Sequence, residues 1–316
     1  MKTKKIGILK NEQVTRKIGI VVCLFLLGLV FTILTRKFLT VSNIVNVLQQ
    51  ATINGCVALG MTLVIITGGI DLSVGSIMAL SGMIMAQLMV AGTPVGVALL
   101  AGVLLGVACG AVNGILISKI KLQPFLVTLG TMSVYRGVTL IISDGLPVRG
   151  LPGSFSNMMN ALNRSFPVPI IILLVFTVIL FLVVKYSKYG QYVFAIGGNE
   201  EATRLSGINT GLVKVGTYAI SGLACSLAAI IFLGRLAAAD PQAGASYEMN
   251  AIAAAAIGGA SLAGGKGSLI GTIIGVLILQ TLNNGLTLLN VQSFYQTLAI
   301  GLIIIAATII DRYSSK

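Results

Sequence analysis

Amides and a lone carboxylate interrupt the long apolar runs of this sequence, and they are its candidates for chemistry. Gln50, Asn54, Asn113, Asn283 and Asn284 lie inside such runs. Asp71 and Ser73 lie in Ile65–Ser76, Ile-Ile-Thr-Gly-Gly-Ile-Asp-Leu-Ser-Val-Gly-Ser, and Asp71 is one of only eight acidic residues in 316. An uncharged amide offers donors and acceptors together, which suits a hydroxyl-rich neutral solute. The same groups serve as hydrogen-bonding glue between helices in a membrane. Asp71 likewise has two readings: Asp71 or Ser73 caps the helix that follows, or the carboxylate binds a solute or an ion. No catalytic constellation is visible. Histidine is absent, which removes the usual general base and metal ligand. Gly264-Gly265-Lys266-Gly267-Ser268 has the look of a phosphate loop. It fails as one, because Ala260 stands at the first glycine and Gly267 replaces the Ser/Thr after lysine.

The elements that must hold these residues are membrane helices. Mean hydropathy is +1.00 and 9% of residues are charged, too few to cover a soluble domain. Unbroken apolar runs such as Val168–Val184 and Leu302–Ile310 lack the alternation of a barrel. The chain therefore reads as an all-α integral membrane protein. A basic segment, 1–17, precedes one polytopic domain, 18–316. The first span, Ile18–Thr35, lacks a cleavage site and is retained. Nine more are predicted over 44–67, 73–92, 94–118, 122–143, 167–185, 212–236, 249–264, 267–290 and 292–311, making about ten, with 249–264 short enough to be partial. Pro94 and Pro167 sit at helix starts. The four cysteines all lie in apolar runs and read as packing residues.

Net charge is +13, but no basic run is interleaved with aromatics, so nucleic acid is excluded as a partner. Charge placement sets orientation instead. With both termini cytoplasmic, the inner side holds Lys2, Lys4, Lys5, Lys10, Arg16 and Lys17, then Lys119, Lys121, Lys185, Lys188, Arg204, Lys214, Lys266, Arg312 and Lys316. The outer side holds only Arg36, Lys37, Arg149, Arg164 and Arg235, and Arg136 falls within a span.

Two polar segments stand out. In Ser143–Ser165, outside, Phe155, Met158, Met159 and Leu162 have helical spacing and predict a short interfacial helix. In 186–211, inside, Asn199 can cap a short helix, Glu200 and Glu201 favour its first turn, and Gly207 can end it. So short a helix has little intrinsic stability and needs a dock. The loop Ala237–Glu248, with Asp240, Tyr247 and Glu248, reads as a solvated turn or as a dock for an external partner.

A weak internal duplication runs through the chain. Gly258–Ala263 echoes Gly68–Ser73 after 190 positions, and Asn113-Gly114 and Gly130 find Asn284-Gly285 and Gly301 after 171. Such repeats frame a central path in many transporters.

Gly69–Ser76, the segment Gly197-Gly198-Asn199-Glu200-Glu201-Ala202-Thr203-Arg204-Leu205-Ser206-Gly207-Ile208, and the run Gly258–Gly271 resemble signatures of the sugar permeases of ATP-binding-cassette importers, the ribose-type branch most closely. Asn43–Gln50 and Asn283-Asn284-Gly285-Leu286 are similar as well. The resemblance implies a multi-pass subunit of a bacterial inner or plasma membrane, embedded in lipid, that translocates ribose or a similar monosaccharide. It implies three partners: a second copy of the permease, a cytoplasmic ATPase and an extracytoplasmic sugar-binding protein. ATP would be used by the separate ATPase, with no cofactor on this chain and no catalysis of its own. It also implies that Gly198, Asn199, Glu200, Glu201, Thr203, Arg204, Leu205, Ser206 and Gly207 form the coupling segment. Gln50, Asn54, Asp71, Ser73, Asn113, Asn283 and Asn284 are the candidates for the path. The competing class is a secondary transporter driven by an ion gradient. That class needs ionisable groups in mid-membrane, where only Asp71 and Arg136 are near candidates.

Overall fold

The structure, a computed structural model, describes residues 2–159 and 168–314. Among these residues the chain is helical apart from loops and one short strand pair. The helices are α1 (Lys2–Leu34), α2 (Val41–Ile66), α3 (Val74–Val90), α4 (Val95–Ser118), α5 (Pro124–Ile142), α6 (Gly153–Met159) and α7 (Val168–Tyr186). They continue with α8 (Lys188–Gly198), α9 (Glu200–Leu205), α10 (Thr210–Leu236), α11 (Tyr247–Ile257), α12 (Leu269–Leu288) and α13 (Ser293–Ser314). Strands β1 (Val148–Arg149) and β2 (Ala238–Ala239) pair antiparallel, with Val148 opposite Ala239.

Among the described residues six helices are long and apolar enough to cross a membrane: α2, α4, α5, α7, α10 and α12. Ile18–Leu34, Val74–Val90 and Ser293–Ala306 are shorter apolar helical stretches. The expected short span 249–264 is helical only in part. α11 has 11 residues and rises about 16 Å, about half of a bilayer core of about 30 Å. Its stop is a glycine turn: Gly259 N–H donates to Ala256 O at 3.0 Å, Ala260 N–H reaches Ala255 O at 2.9 Å, and Gly259 has φ +91°. The same motif ends α2, through Gly68 N–H on Ile65 O and Gly69 N–H on Val64 O, with Gly68 at φ +79°. A residue with a Cβ is disfavoured there, so glycine sets both breaks. α1 runs unbroken from Lys2 through the basic segment 1–17 into the apolar run.

α2 and α10 are the centre. The span window of α2 is 83% buried and that of α7 only 17%, so α2 is an inner helix and α7 a peripheral one. α10 packs against α2, α3 and α4. It crosses α4 at backbone contact, where Gly106 and Gly110 meet Gly222, as small residues allow between membrane helices. In α6, Phe155 and Met159 are buried, the latter against Gly234 of α10. The expected short helix thus forms, with one face packed into the bundle. Leu162 and Pro167, assigned above to this region, lie outside the described residues.

The 171-residue echo extends to whole elements. That shift carries α2 onto α10, α3 onto α11, α4 onto α12 and α5 onto α13, within a few residues at each end. Packing follows it: α3 lies against α4, α5 and α10, and α11 lies against α12, α13 and α2. The 190-residue echo is local. Asp71 Oδ1 accepts the N–H of Ser73 at 3.0 Å, and Ser261 Oγ accepts the N–H of Ala263 at 3.3 Å. The two loops thus share a turn without occupying equivalent places.

Candidate functional site

The polar residues fall into three places. The first is a junction at one end of the bundle. Ser187 caps α8 through its Oγ, which accepts the N–H of Gly190 at 3.2 Å. α8 buries Gly190, Val193 and Ile196, and Gly198 is its last residue. Asn199 then caps α9, its Oδ1 accepting the N–H of Ala202 at 2.9 Å. Glu200 and Glu201 fill the first turn, and Gly207 follows with φ +82°. Thr203 is buried and its hydroxyl donates to Asn199 O at 2.7 Å; Ser206 Oγ donates to Ala202 O at 2.9 Å.

Two ion pairs set the outer surface of α9. Glu201 pairs with Arg204 at 2.6 Å, and Glu200 with Lys214 of α10 at 2.6 Å. Hydrogen bonding to Arg204 holds the Glu201 carboxyl below its usual value. Leu205 projects with 76% of its surface exposed. Behind this surface the chain is pinned at Gly197. A Cβ there would strike the carbonyl of Ile66 and the amide of Gly265. Gly265 N–H itself donates to Ile66 O at 2.9 Å. The end of α2, the end of α8 and the loop before α12 therefore meet backbone to backbone. The rejected phosphate loop is this third strand of the junction, and its Ser268 caps α12 by accepting from Gly271 N–H at 3.1 Å.

The second place is a closed network around Asp71. Its Oδ1 accepts from the N–H and the hydroxyl of Ser73, at 3.0 and 2.6 Å, and its Oδ2 from Ser221 of α10 at 2.9 Å. Asn113 Nδ2 donates to Ser73 Oγ at 2.8 Å. Tyr135 of α5 donates to Cys109 O at 3.0 Å and to Asn113 Oδ1 at 3.4 Å. Asp71, Ser73, Asn113 and Ser221 are all fully buried. The capping expectation is corrected: Ser73 takes the N-cap position of α3 without a side-chain cap bond. Asp71 instead turns the chain just before the helix and binds α10.

The third place is the opposite end of α2. Asn43 and Asn284 exchange amide hydrogen bonds at 2.9 and 2.8 Å. Gln50 Nε2 donates to Asn46 Oδ1 at 3.4 Å, and Arg235 donates to the same oxygen at 3.2 Å. Asn54 Oδ1 and Asn283 Oδ1 are buried without a partner. Nearby, Arg136 donates to the carbonyls of Pro241 and Ala243, the latter at 2.9 Å. This ties the loop before α11 to α5, so that loop is a clamped element and not a solvated turn.

The candidates for the path are thus dispersed. Asp71, Ser73 and Asn113 share one network, Asn284 belongs to a separate pair, and Gln50 and Asn54 lie on a third surface. Ser221, Tyr135, Asn46 and Arg235 were not singled out from the sequence as path candidates; Ser221, Tyr135 and Arg235 join a cluster through partners distant in the chain, and Asn46 through Arg235 as well as Gln50 one turn on. Among the described residues no group of His, Cys, Asp and Glu side chains could hold a metal ion.

Residues 43–308 match the family described as branched-chain amino acid transport system / permease component. The chain is 46% identical to the ribose import permease protein RbsC of Bacillus subtilis, over 96% of this chain and 95% of that one. It is 39% identical to RbsC of Haemophilus influenzae, over 96% and 98%. It is 43% identical to the D-allose transport system permease protein AlsC of Escherichia coli, over 88% and 86%. No solved structure matches. On the extent of these matches, the chain belongs to the permease-component family of branched-chain amino acid transport systems.

Proposed function

We propose that this chain is the membrane-spanning permease subunit of an ATP-driven importer of ribose or a closely similar monosaccharide. Its place is the bacterial inner or plasma membrane. Relatives whose printed names are ribose and D-allose permeases support the substrate class. The observation that carries the mechanism is α9. It is a helix of 6 residues, capped by Asn199, with Glu201, Arg204 and Leu205 exposed and Gly197 wedged behind it. A helix this short persists only by docking, and its free face offers an apolar tip beside an ion pair. In this reading a cytoplasmic ATPase docks on Gly198–Gly207. Force on α9 reaches α2 and α12 through Gly197, where contact is between backbones and no side chain can yield.

Both termini then face the cytoplasm and the chain crosses about ten times, counting the shorter apolar stretches and counting α11 with the loop after it as one crossing, since that stretch runs from the Arg136 clamp to the Gly265 junction. The 171-residue shift relates helices an odd number of crossings apart, so the two sets have inverted topology about a central axis. A second copy completes the path, and an extracytoplasmic binding protein delivers the sugar at the Arg235 end. ATP is consumed by the partner and not on this chain. The ion-driven alternative loses its best carboxylate, because Asp71 is occupied on both oxygens inside the network.

Arg204→Glu tests the docking surface. It reverses a charge on an exposed face and leaves the cap and the buried Thr203 in place. The expected result is normal membrane insertion, continued ATP hydrolysis by the partner and loss of most sugar uptake per ATP. Coupled uptake at the wild-type ratio would remove α9 from the mechanism.

A further inference from the structure

We propose that Asn46, Gln50 and Asn54 form a hydroxyl-recognising ladder along α2, which is the outer wall of the solute path; this rests on the sugar-import reading above. The three amides stand four residues apart, so they stack one turn above another on one face of the helix. Arg235 of α10 and Gln50 both donate to Asn46 Oδ1 at the top of the stack. Two helices, α2 and α10, thus bring polar groups together at this end.

The burial pattern shows where the ladder ends. From Ala51 to Ile66 every residue of α2 is buried except Asn54. Partial exposure along α2 therefore reaches Asn54 and ends there. One and two turns further in, Ala58 and Thr62 are buried, and Thr62 bonds to Ala58 O and Thr272.

Satisfaction separates Asn54, the innermost rung, from the glue. Asn43, on the same helix, has its amide paired with Asn284. Asn54 Oδ1 is cut off from solvent and has no partner, an unfavourable state for a buried acceptor. An amide kept for structure would be paired. An amide kept for a ligand presents an acceptor that a hydroxyl can fill. Below Arg235 nothing on the ladder ionises. It therefore favours a neutral polyhydroxylated solute, and each amide can both donate to and accept from adjacent hydroxyls.

The test uses the full complex with its ATPase and binding protein in sealed vesicles. Asn54→Cys is placed in a Cys23→Ser background and treated from the binding-protein side with a membrane-impermeant thiosulfonate. Labelling that abolishes uptake, together with about tenfold slower uptake in Asn54→Leu at unchanged assembly, is the expected result. Normal uptake by Asn54→Leu, or an Asn54→Cys inert to the aqueous reagent in a transporting complex, overturns the ladder. So does Asn46→Cys forming disulfide-linked dimers in place of reacting, since the face would then be an interface between copies. A wild-type complex that imports no monosaccharide strikes the importer reading instead, and the labelling result is read without reference to transport.

Discussion

The Asp71 network and the Asn46–Asn54 ladder are built from the same kinds of residue, in the same apolar helices, and differ in how their hydrogen bonds close. Around Asp71 both carboxylate oxygens are occupied and Ser73 and Asn113 are partnered, with every member sealed from solvent. Along the ladder, Asn54 Oδ1 has nothing to accept, and Asn54 alone breaks the burial of α2 between Ala51 and Ile66. A closed polar network in a low-dielectric interior rigidifies the fold, and a half-filled one is costly unless something else completes it. The first ties α3, α4, α5 and α10 together, and the second awaits a ligand. Function in a membrane helix is therefore told by satisfaction and not by polarity.

Stability measurements can break that contrast. Asp71→Leu should have the largest effect. It strands the N–H and hydroxyl of Ser73 and the hydroxyl of Ser221, at about 1–3 kcal/mol for each buried donor left unmade. Loss of a monodisperse detergent-solubilised protein is expected, and a normal elution profile would show that the network is dispensable. Ser221→Ala removes one bond to a carboxylate, a loss of about 1.5–3 kcal/mol. It should lower the midpoint of thermal unfolding and leave the protein assembled. Asn54→Leu should do the reverse of both: uptake falls while the unfolding midpoint holds or rises, because an unpaired oxygen has gone. A lower midpoint would move Asn54 into the structural class.

The smallest effect sits at Glu201. Its carboxyl is held below the usual carboxylate range by Arg204, so the pair contributes above the unfolded value and is lost as pH falls through the folded one. Both partners are exposed, where such pairs contribute little. The unfolding midpoint of Glu201→Gln should therefore match the wild type at neutral pH and in mild acid. A clear drop confined to neutral pH would mean that α9 leans on this pair.

Local features were legible in the sequence. The cap at Asn199, the acidic first turn and Gly207 are neighbours in the chain, and α9 forms where they predict it. Most helix boundaries follow from apolar runs and the Gly or Pro beside them. α8 was missed because Ser187 caps a helix that follows α7 almost directly and read as part of a polar loop. α11, expected to be short, ends still earlier than residue 264 because Ile257-Gly258-Gly259-Ala260 continues an apolar run while its backbone turns away. The amides could not be sorted at all. Asn43 meets Asn284 across 241 positions and Asp71 meets Ser221 across 150. Pairing at that range depends on how helices face one another, which periodicity does not report when nearly every face is apolar.

The central claim is import driven by ATP on a separate subunit, and one measurement tests it most directly. Radiolabelled ribose uptake would be followed in ATP-loaded proteoliposomes holding this chain, its ATPase and its sugar-binding protein, with each component omitted in turn. Accumulation that requires all three is the expected result. Accumulation by this chain alone, driven by an ion gradient, would contradict it and make the protein a secondary carrier.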